Sequence, residues 1–200
     1  MKLVYWPIPG RAHVTRAILH YHEEPFEDVH QKSEDWPAQK EALKSKIPYP
    51  NLPYLVDGHL HLSESLAIAK YAARKCNCVL TDIKELAIQD QFEGFIADLG
   101  ATFVKARYGT PEGEARDAAI AAWEAGLVEQ MMPIEKHLEG KKWLTGDTLC
   151  WVDFALHSSF ATACAAVPEA KAKLLNISRH TDQLLEKESY KKFYDKTFNV

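Results

Sequence analysis

The pattern of apolar and polar positions changes near residue 80. Before that point, short apolar runs alternate with segments of helical periodicity. The pattern predicts strands at 2–6, 26–30, 54–57 and 59–62, helices at 12–21 and 65–75, and an uncertain helix in the polar segment 34–46. The dipeptide Asp57-Gly58 favours a tight hairpin between the last two strands. The first part of the chain is therefore predicted to be a small α/β domain.

Beyond residue 80 the periodicity is helical throughout. Long helices are predicted at 84–107, 112–138 and 151–166, with shorter ones toward the C-terminus. The segment Met131-Met132-Pro133 is expected to kink or split the second of these helices, because proline removes a backbone donor. We predict an α/β domain at 1–78 followed by an all-helical domain at 84–200.

Composition and charge narrow the class of protein. Of the 200 residues, 46% are hydrophobic and the formal net charge is -4, with no basic block of the kind that binds nucleic acid. No apolar run approaches the roughly 20 residues needed to span a membrane. Only Met1 and Lys2 precede the apolar residues of the first predicted strand, so we expect no secretory apolar region. We expect a cytoplasmic protein that binds neither nucleic acid nor membranes.

The four cysteines give no sign of a metal site or a redox motif. They lie at positions 76, 78, 150 and 164, without a CxxC pair and without zinc-ligand spacing. We expect reduced structural thiols, no metal and no cofactor.

The first chemical signal is Tyr5 at the end of the first strand, with Arg11 at the start of the next helix. A phenol can hydrogen-bond a thiolate, and a helix start with a guanidinium can take a carboxylate. This pair suits a small anionic thiol. The competing interpretation is an aromatic side chain that only packs at a strand end.

A second signal comes from Asn51-Leu52-Pro53 and from Glu64-Ser65. A proline that opens a strand belongs at a first or edge position, and a cis bond there would turn the Leu52 backbone toward an extended peptide ligand. Ser65 and the free N–H groups at a helix start suit a carboxylate, and Glu64 suits an ammonium. The alternative is plain capping of this helix by Ser63.

These pieces recur in order in one family. They are Tyr5-Trp6, Gly10-Arg11, Trp36-Pro37 with Lys40, Asn51-Leu52-Pro53-Tyr54-Leu55, Glu64-Ser65, residues 68–75, Gly146-Asp147 and Val152-Asp153-Phe154. The chain resembles a cytosolic glutathione transferase of the tyrosine type, near the mu, pi and sigma classes. The resemblance implies a thioredoxin-like N-terminal domain followed by an all-helical C-terminal domain.

The resemblance also implies a role for individual residues in binding glutathione. Tyr5 is expected to donate its hydroxyl to the glutathione sulfur and stabilise the thiolate. The expected glutathione-binding residues are Trp6, Arg11, Trp36, Lys40, Lys44, Asn51, Leu52, Pro53, Glu64, Ser65 and Asp98. Lys40 and Lys44 are rivals for one contact, and Asp98 is expected to reach glutathione in the partner subunit.

The electrophile and the partner subunit have their own expected residues. The electrophile pocket is expected to use Ile8, Phe103, Arg107 and Tyr108. A homodimer is implied, with Tyr49 inserted into the neighbouring subunit.

The chain departs from the family at several places. The short segment between Trp6 and Trp36 leaves no room for the long loop of mu-class members, and Pro7 and Arg11 resemble pi or sigma, whereas Asn51-Leu52-Pro53 resembles mu. The class therefore stays open. Cys150 stands where the family usually has a helix-capping serine or threonine. A thiol caps poorly, so we expect this helix start to be weaker by about 1 kcal/mol, with Asp147 or Thr148 taking part.

Three functions remain open at this stage. The first is a detoxifying transferase that joins glutathione to small apolar electrophiles. The second is a specialised glutathione-dependent isomerase or peroxidase, and the third is a non-catalytic ligand carrier on the same fold. The thiolate site implied for Tyr5 favours the two enzymes, since a carrier has no need of a thiolate.

Overall fold

The structure is a computed structural model, which describes residues 1–198. It contains two compact units: one is Met1–Val79 together with the segment from Lys187 onward, and the other is Leu80–Glu186. The expected domain limits of 1–78 and 84–200 stay a prediction; the segment from Lys187 onward groups with the first unit.

The first unit is built on a four-stranded mixed sheet. Its strands are β1 (Lys2–Tyr5), β2 (Glu27–His30), β3 (Tyr54–Asp57) and β4 (Leu60–Ser63), in the order β2-β1-β3-β4. β2 runs parallel to β1, whereas β3 is antiparallel to β1 and forms a hairpin with β4. Gly58 has φ 58° in the hairpin, a conformation that glycine adopts without steric cost.

Four helices accompany this sheet. They are α1 (His13–Tyr21), α2 (Trp36–Leu43), α3 (Ser65–Lys75) and α9 (Glu188–Phe198), and a 3-10 turn at Gly10–Ala12 leads into α1. α1 packs against α3 and α9. Leu3, Leu55 and Ile68 are fully buried in the core that the sheet and helices share. The segment 34–46, uncertain in the sequence, contains α2, where Pro37 lies in the first turn and costs no hydrogen bond.

The second unit is helical. Its helices are α4 (Ile83–Tyr108), α5 (Glu114–His137), α6 (Trp151–Ala166), α7 (Ala170–Lys173) and α8 (Leu175–Leu185). Of the expected kink or split of α5 at Pro133, the split is wrong, since the helix continues through this residue. A proline inside a helix removes one hydrogen bond, and the buried neighbours Met131 and Ile134, 1% and 3% exposed, anchor the helix on both sides of it.

The start of α6 is organised by Asp153. Its Oδ2 accepts the backbone N–H of Cys150 at 2.9 Å, and its Oδ1 accepts the N–H of Leu144 at 2.9 Å and lies 2.8 Å from His180 Nε2. The carboxylate thus holds the helix start in place of the expected Asp147 or Thr148. Burial raises the pKa of the Cys150 thiol to about 12, so this thiol stays protonated.

Within residues 1–198, no helix combines the length and the apolar character needed to cross a bilayer.

Candidate active site

Tyr5 ends β1 with a buried ring, 6% exposed. Its hydroxyl oxygen accepts the backbone N–H of Arg11 at 3.2 Å. Within residues 1–198 no acceptor takes the hydroxyl hydrogen of Tyr5, which leaves this hydrogen available to a ligand. A phenol that accepts one hydrogen bond donates a stronger one, because hydrogen bonds in a chain polarise one another.

Gly10 lies directly against this phenol. Its φ is +40°, and a Cβ at this position would lie 2.8 Å from Tyr5 Oη and 2.9 Å from Tyr5 Cε1. Only glycine allows the backbone to approach the hydroxyl so closely. The sequence motif contains Gly10, but its spacing does not reveal this contact.

Arg16 fixes the loop between β1 and the 3-10 turn. Its guanidinium donates to the carbonyl oxygen of Ile8 at 2.7 Å and to that of Trp6 at 3.5 Å, and it pairs with both carboxylate oxygens of Asp28 at 3.0 to 3.1 Å. The Arg16 residue is 4% exposed. The sequence analysis missed it, because an arginine inside an amphipathic helix normally indicates a solvent-facing position.

A groove of about 310 Å³ lies beside the residues that lead into β3. Its lining residues are Lys40, Pro48, Tyr49, Pro50, Asn51 and Glu64. The structure thus brings together three of the residues expected to bind glutathione, Lys40, Asn51 and Glu64. The rival lysine, Lys44, forms an ion pair with Glu41 at 2.6 Å.

The peptide bond between Leu52 and Pro53 is cis. The Leu52 N–H donates to the side-chain oxygen of Asn51 at 2.9 Å. This backbone donor is the one expected to face a peptide ligand, and in the structure it is bonded to the Asn51 amide oxygen. The Asn51 side chain would have to move for that backbone pairing to form.

Glu64 and Ser65 lie at the start of α3. Glu64 has φ 73° and ψ 111°, a strained conformation for a residue with a side chain. No side chain caps this helix, so N–H groups of its first turn remain free for an acceptor. The alternative of capping by Ser63 is wrong, because no side chain caps α3. The Ser63 hydroxyl instead donates to the Tyr49 carbonyl at 2.8 Å.

Aromatic rings surround the loop after β1. Trp6 and Trp36 meet edge to face with ring centroids 6.3 Å apart, and Trp36 stacks on Tyr54 at 6.5 Å. The Tyr54 hydroxyl accepts a hydrogen bond from Gln39 at 3.1 Å. The two tryptophans expected at the site therefore lie together on one side of the first unit.

The remaining expected residues lie on α4 in the second unit. Asp98 is exposed, and so is Tyr108, at 65%. The Arg107 guanidinium lies 5.6 Å from the Tyr108 ring centroid, and Phe103 packs on Trp123 at 5.1 Å. The structure thus places Arg107 and Tyr108 together at the C-terminal end of one helix. Among the described residues, no three histidine, cysteine or acidic side chains converge as a metal site would require.

Comparison with known proteins identifies the family. The model described as "Glutathione S-transferase, N-terminal domain" matches residues 1–74, and that described as "Glutathione S-transferase, C-terminal domain" matches residues 96–188. Glutathione S-transferase 2 of Gallus gallus is 32% identical over 188 residues, covering 90% of this chain and 82% of that protein. The chain belongs to the glutathione S-transferase family. It is an enzyme of that family, which confirms the resemblance stated from the sequence.

Other members of the family support the same assignment. Glutathione S-transferase Mu 1 of Macaca fascicularis is 31% identical to this transferase over 185 residues, covering 86% of this chain and 83% of that protein. The crystal structure of the glutathione S-transferase Blo t 8 has a TM-score of 0.88 and 26% identity, covering 100% of this chain and 95% of that one. The expected fold class, a thioredoxin-like domain and a helical domain, is confirmed.

Proposed function

We propose that this transferase conjugates the glutathione thiolate to small apolar electrophiles, and that Tyr5 stabilises the thiolate. The observation that carries the proposal is the buried Tyr5 hydroxyl, which accepts the Arg11 N–H and keeps its own hydrogen free to donate. Glutathione is a co-substrate here, and no cofactor takes part in the proposed reaction.

The magnitude of this effect is sufficient for catalysis at neutral pH. A free thiol has a pKa of about 8.5, so only a few per cent is thiolate at pH 7. One hydrogen bond to a charged group contributes about 1.5–3 kcal/mol, which lowers the thiol pKa by about one to two units. At pH 7 the ionised share of the bound thiol would then rise to about a quarter for a shift of one unit and to about three quarters for a shift of two units.

In the proposed reaction, the thiolate attacks the electrophile carbon through a sulfur lone pair. With a chloronitrobenzene, a carbon–sulfur bond forms, the carbon–chlorine bond breaks and chloride leaves with its electron pair. The thiol proton has already passed to solvent. Binding both reactants side by side makes the attack effectively intramolecular.

The first unit supplies the proposed glutathione contacts. Lys40 is favoured over Lys44, because Lys40 lines the groove with Asn51 and Glu64 whereas Lys44 is paired with Glu41. The free N–H groups at the start of α3 suit the γ-glutamyl carboxylate, with Ser65 adding a hydroxyl. The further proposed contacts are those of Trp6, Arg11, Trp36, Leu52 and Pro53.

The second unit supplies the proposed electrophile contacts. Phe103, Arg107 and Tyr108 on α4 offer aromatic surface and one cation. Within the first unit, the apolar side chain of Ile8 is the proposed electrophile contact. Asp98 is proposed to reach glutathione bound to the partner subunit of a cytoplasmic homodimer. Tyr49, 80% exposed on a Pro-Tyr-Pro turn, is the proposed contact with that partner.

The test compares wild type with Tyr5→Phe and with the control Tyr71→Phe. Tyr71 donates its hydroxyl to Asp57 at 2.7 Å, so the control also loses one hydrogen bond but contributes nothing to the groove. Retention on immobilised glutathione, turnover of a chloronitrobenzene and the pKa of the bound thiol from its ultraviolet absorbance are measured for all three.

We expect Tyr5→Phe to bind glutathione, to raise the pKa of the bound thiol by about one to two units and to lose most of its turnover. The control should behave as wild type in all three measurements. An unchanged thiol pKa in Tyr5→Phe would refute the thiolate mechanism. Retention of glutathione without turnover in wild type would favour a carrier or a specialised isomerase instead.

A further inference from the structure

The helix α2 is held to the first unit by few side chains. Of its eight residues only Leu43 is buried, and Trp36 and Gln39 are half-buried. Within residues 1–198, the N-cap residue Asp35 makes no side-chain capping hydrogen bond. A helix of this length is not stable by itself in water, so contacts with the rest of the unit must keep it folded. Those contacts therefore decide where the helix lies.

Tyr54 makes two of these contacts. It is the first residue of β3 and is 5% exposed. Its hydroxyl accepts a hydrogen bond from Gln39 Nε2 at 3.1 Å, and its ring stacks on Trp36 with an interplanar angle of 21°. Tyr54 itself is fixed by the sheet, where it pairs with Val4 of β1 and with Ser63 of β4. A strand residue held on both sides thus contacts both half-buried residues of α2.

The C-terminal end of α2 is attached separately. Leu43 and, beyond the helix, Ile47 are 5% and 2% exposed and belong to the core cluster that also contains Leu55. This apolar burial holds the end of the helix with or without the Tyr54 contacts. Loss of the Tyr54 hydroxyl should therefore loosen the beginning of α2 and leave the protein folded.

Lys40 follows Gln39 directly in α2, so a shift of Gln39 moves Lys40 with it. Lys40 lines the groove together with Asn51 and Glu64. Glutathione carries two carboxylates, and the N–H groups at the start of α3 suit the γ-glutamyl one. The glycine carboxylate is then left for the Lys40 ammonium, and the energy of this ion pair depends on the distance between the two charges.

We propose that Tyr54 is a positioning residue for glutathione. Through Gln39 and Trp36 it holds α2 so that Lys40 binds the glycine carboxylate. The inference rests on the proposed function and adds a determinant of specificity to it. The enzyme thereby selects glutathione over a thiol that ends before the glycine, such as γ-glutamylcysteine. Only the affinity for the longer thiol depends on the position of Lys40, and specificity is the difference between the two affinities.

The test measures the dissociation constants of glutathione and of γ-glutamylcysteine for the full chain by calorimetry. Both thiols carry the γ-glutamyl group, so the ratio of their constants reports recognition of the glycine end. Tyr54→Phe keeps the ring and removes the hydroxyl, whereas Gln39→Met removes the same hydrogen bond from the helix. The control Tyr71→Phe removes the hydroxyl that donates to Asp57 at 2.7 Å, and among the described residues neither of these two lines the groove.

Hydrogen exchange of the α2 amides provides a second measurement, made without any thiol. In Tyr54→Phe and in Gln39→Met, the amides of residues 39–41 should exchange faster than in wild type, because the beginning of the helix opens more often. The amides of α3 should exchange at wild-type rates. An unchanged rate in α2 would overturn the proposal, whatever the result of the proposed glutathione chemistry.

We expect both variants to bind glutathione about threefold to fivefold more weakly than wild type, as loss of one neutral hydrogen bond allows. Their dissociation constants for γ-glutamylcysteine should stay within about twofold of wild type. The double variant Gln39→Met/Tyr54→Phe should lose no more than either single variant, because both remove the same bond. The control should match wild type with both thiols.

Lys40→Gln distinguishes this proposal from the proposed function. If Lys40→Gln loses the preference for glutathione while Tyr54→Phe keeps it, the positioning role is overturned and the proposed contact of Lys40 stands. If wild type itself has no preference, Lys40 does not recognise the glycine end, and both the contact and the positioning role fail. An equal loss of affinity for both thiols in Tyr54→Phe would indicate general damage to the site and would also overturn the proposal.

Discussion

The contact between Gly10 and the Tyr5 phenol gives the most direct test of the proposed active site. In Gly10→Ala, the new methyl group would lie 2.8 Å from Tyr5 Oη and 2.9 Å from Cε1. These separations are several tenths of an ångström below ordinary contact, so either the phenol or the 3-10 turn must move. Because Tyr5 Oη also accepts the Arg11 N–H from the same turn, any movement displaces the hydroxyl from its present position.

The cost has two parts that can be separated. A side chain at positive φ costs about 1–2 kcal/mol of folding free energy. Displacing the hydroxyl removes a hydrogen bond to the thiolate that is worth about 1.5–3 kcal/mol. The second part appears in catalysis, where it corresponds to a loss of about tenfold to a hundredfold in kcat/KM.

In the control Gly58→Ala, we expect only the loss of folding free energy that a side chain at positive φ causes. Gly58 has φ 58° in the β3–β4 hairpin, and a Cβ there would meet nothing within 4 Å. Both variants should lose similar stability in urea unfolding, but only Gly10→Ala should lose turnover of a chloronitrobenzene and raise the pKa of the bound thiol. If kcat/KM of Gly10→Ala stays within about twofold of Gly58→Ala, the position of the Tyr5 hydroxyl does not control catalysis.

Three further predictions concern stability and assembly. Cys150→Ser should raise the melting temperature by about 2–4 °C in calorimetry, because a hydroxyl caps α6 better than a thiol; an unchanged or lower value would contradict this. The free energy of unfolding should fall as the pH drops below about 6.5, by at most about 1.4 kcal/mol per pH unit, because burial lowers the His13 pKa to about 3 in the folded chain. In His13→Phe, the free energy of unfolding measured in urea should depend less on pH in this range. Tyr49→Ala should weaken the proposed dimer in sedimentation, and an unchanged dimerisation constant would remove Tyr49 from the interface.

Most of the fold could be predicted from periodicity and turn residues. The limits of β3, α3 and α6 match the predicted ranges, and β3 is bounded by Pro53 and by the Asp57-Gly58 turn. The expectation at Pro133 was a kink or a split, and there is a physical reason why the helix is not split there. A proline removes one hydrogen bond, but burial of its neighbours over two turns outweighs this loss, and local sequence does not report that burial.

The candidate site could be predicted as a set of residues, but not as a geometry. Element boundaries in the sequence suggested Tyr5 and Glu64, and the resemblance to the family added Lys40. The sequence could not tell which lysine lies in the groove. Lys40 and Lys44 are four residues apart, a spacing that puts both on one face of a helix, so the sequence does not separate them. In the structure Lys40 lines the groove and Lys44 pairs with Glu41.

The sequence does not reveal the side chains that hold the site in position, because these side chains bind backbone carbonyl groups. Ser63 looks like a helix cap, yet its hydroxyl holds the Tyr49 carbonyl, which leaves the start of α3 open for an anion. Arg16 looks like a surface residue of α1, yet it ties the carbonyls of Trp6 and Ile8 to Asp28. A carbonyl acceptor is the same at every position, so no residue type in the sequence marks it as a partner. The loop that carries the proposed catalytic geometry is therefore held by a buried guanidinium that no motif in the sequence identifies.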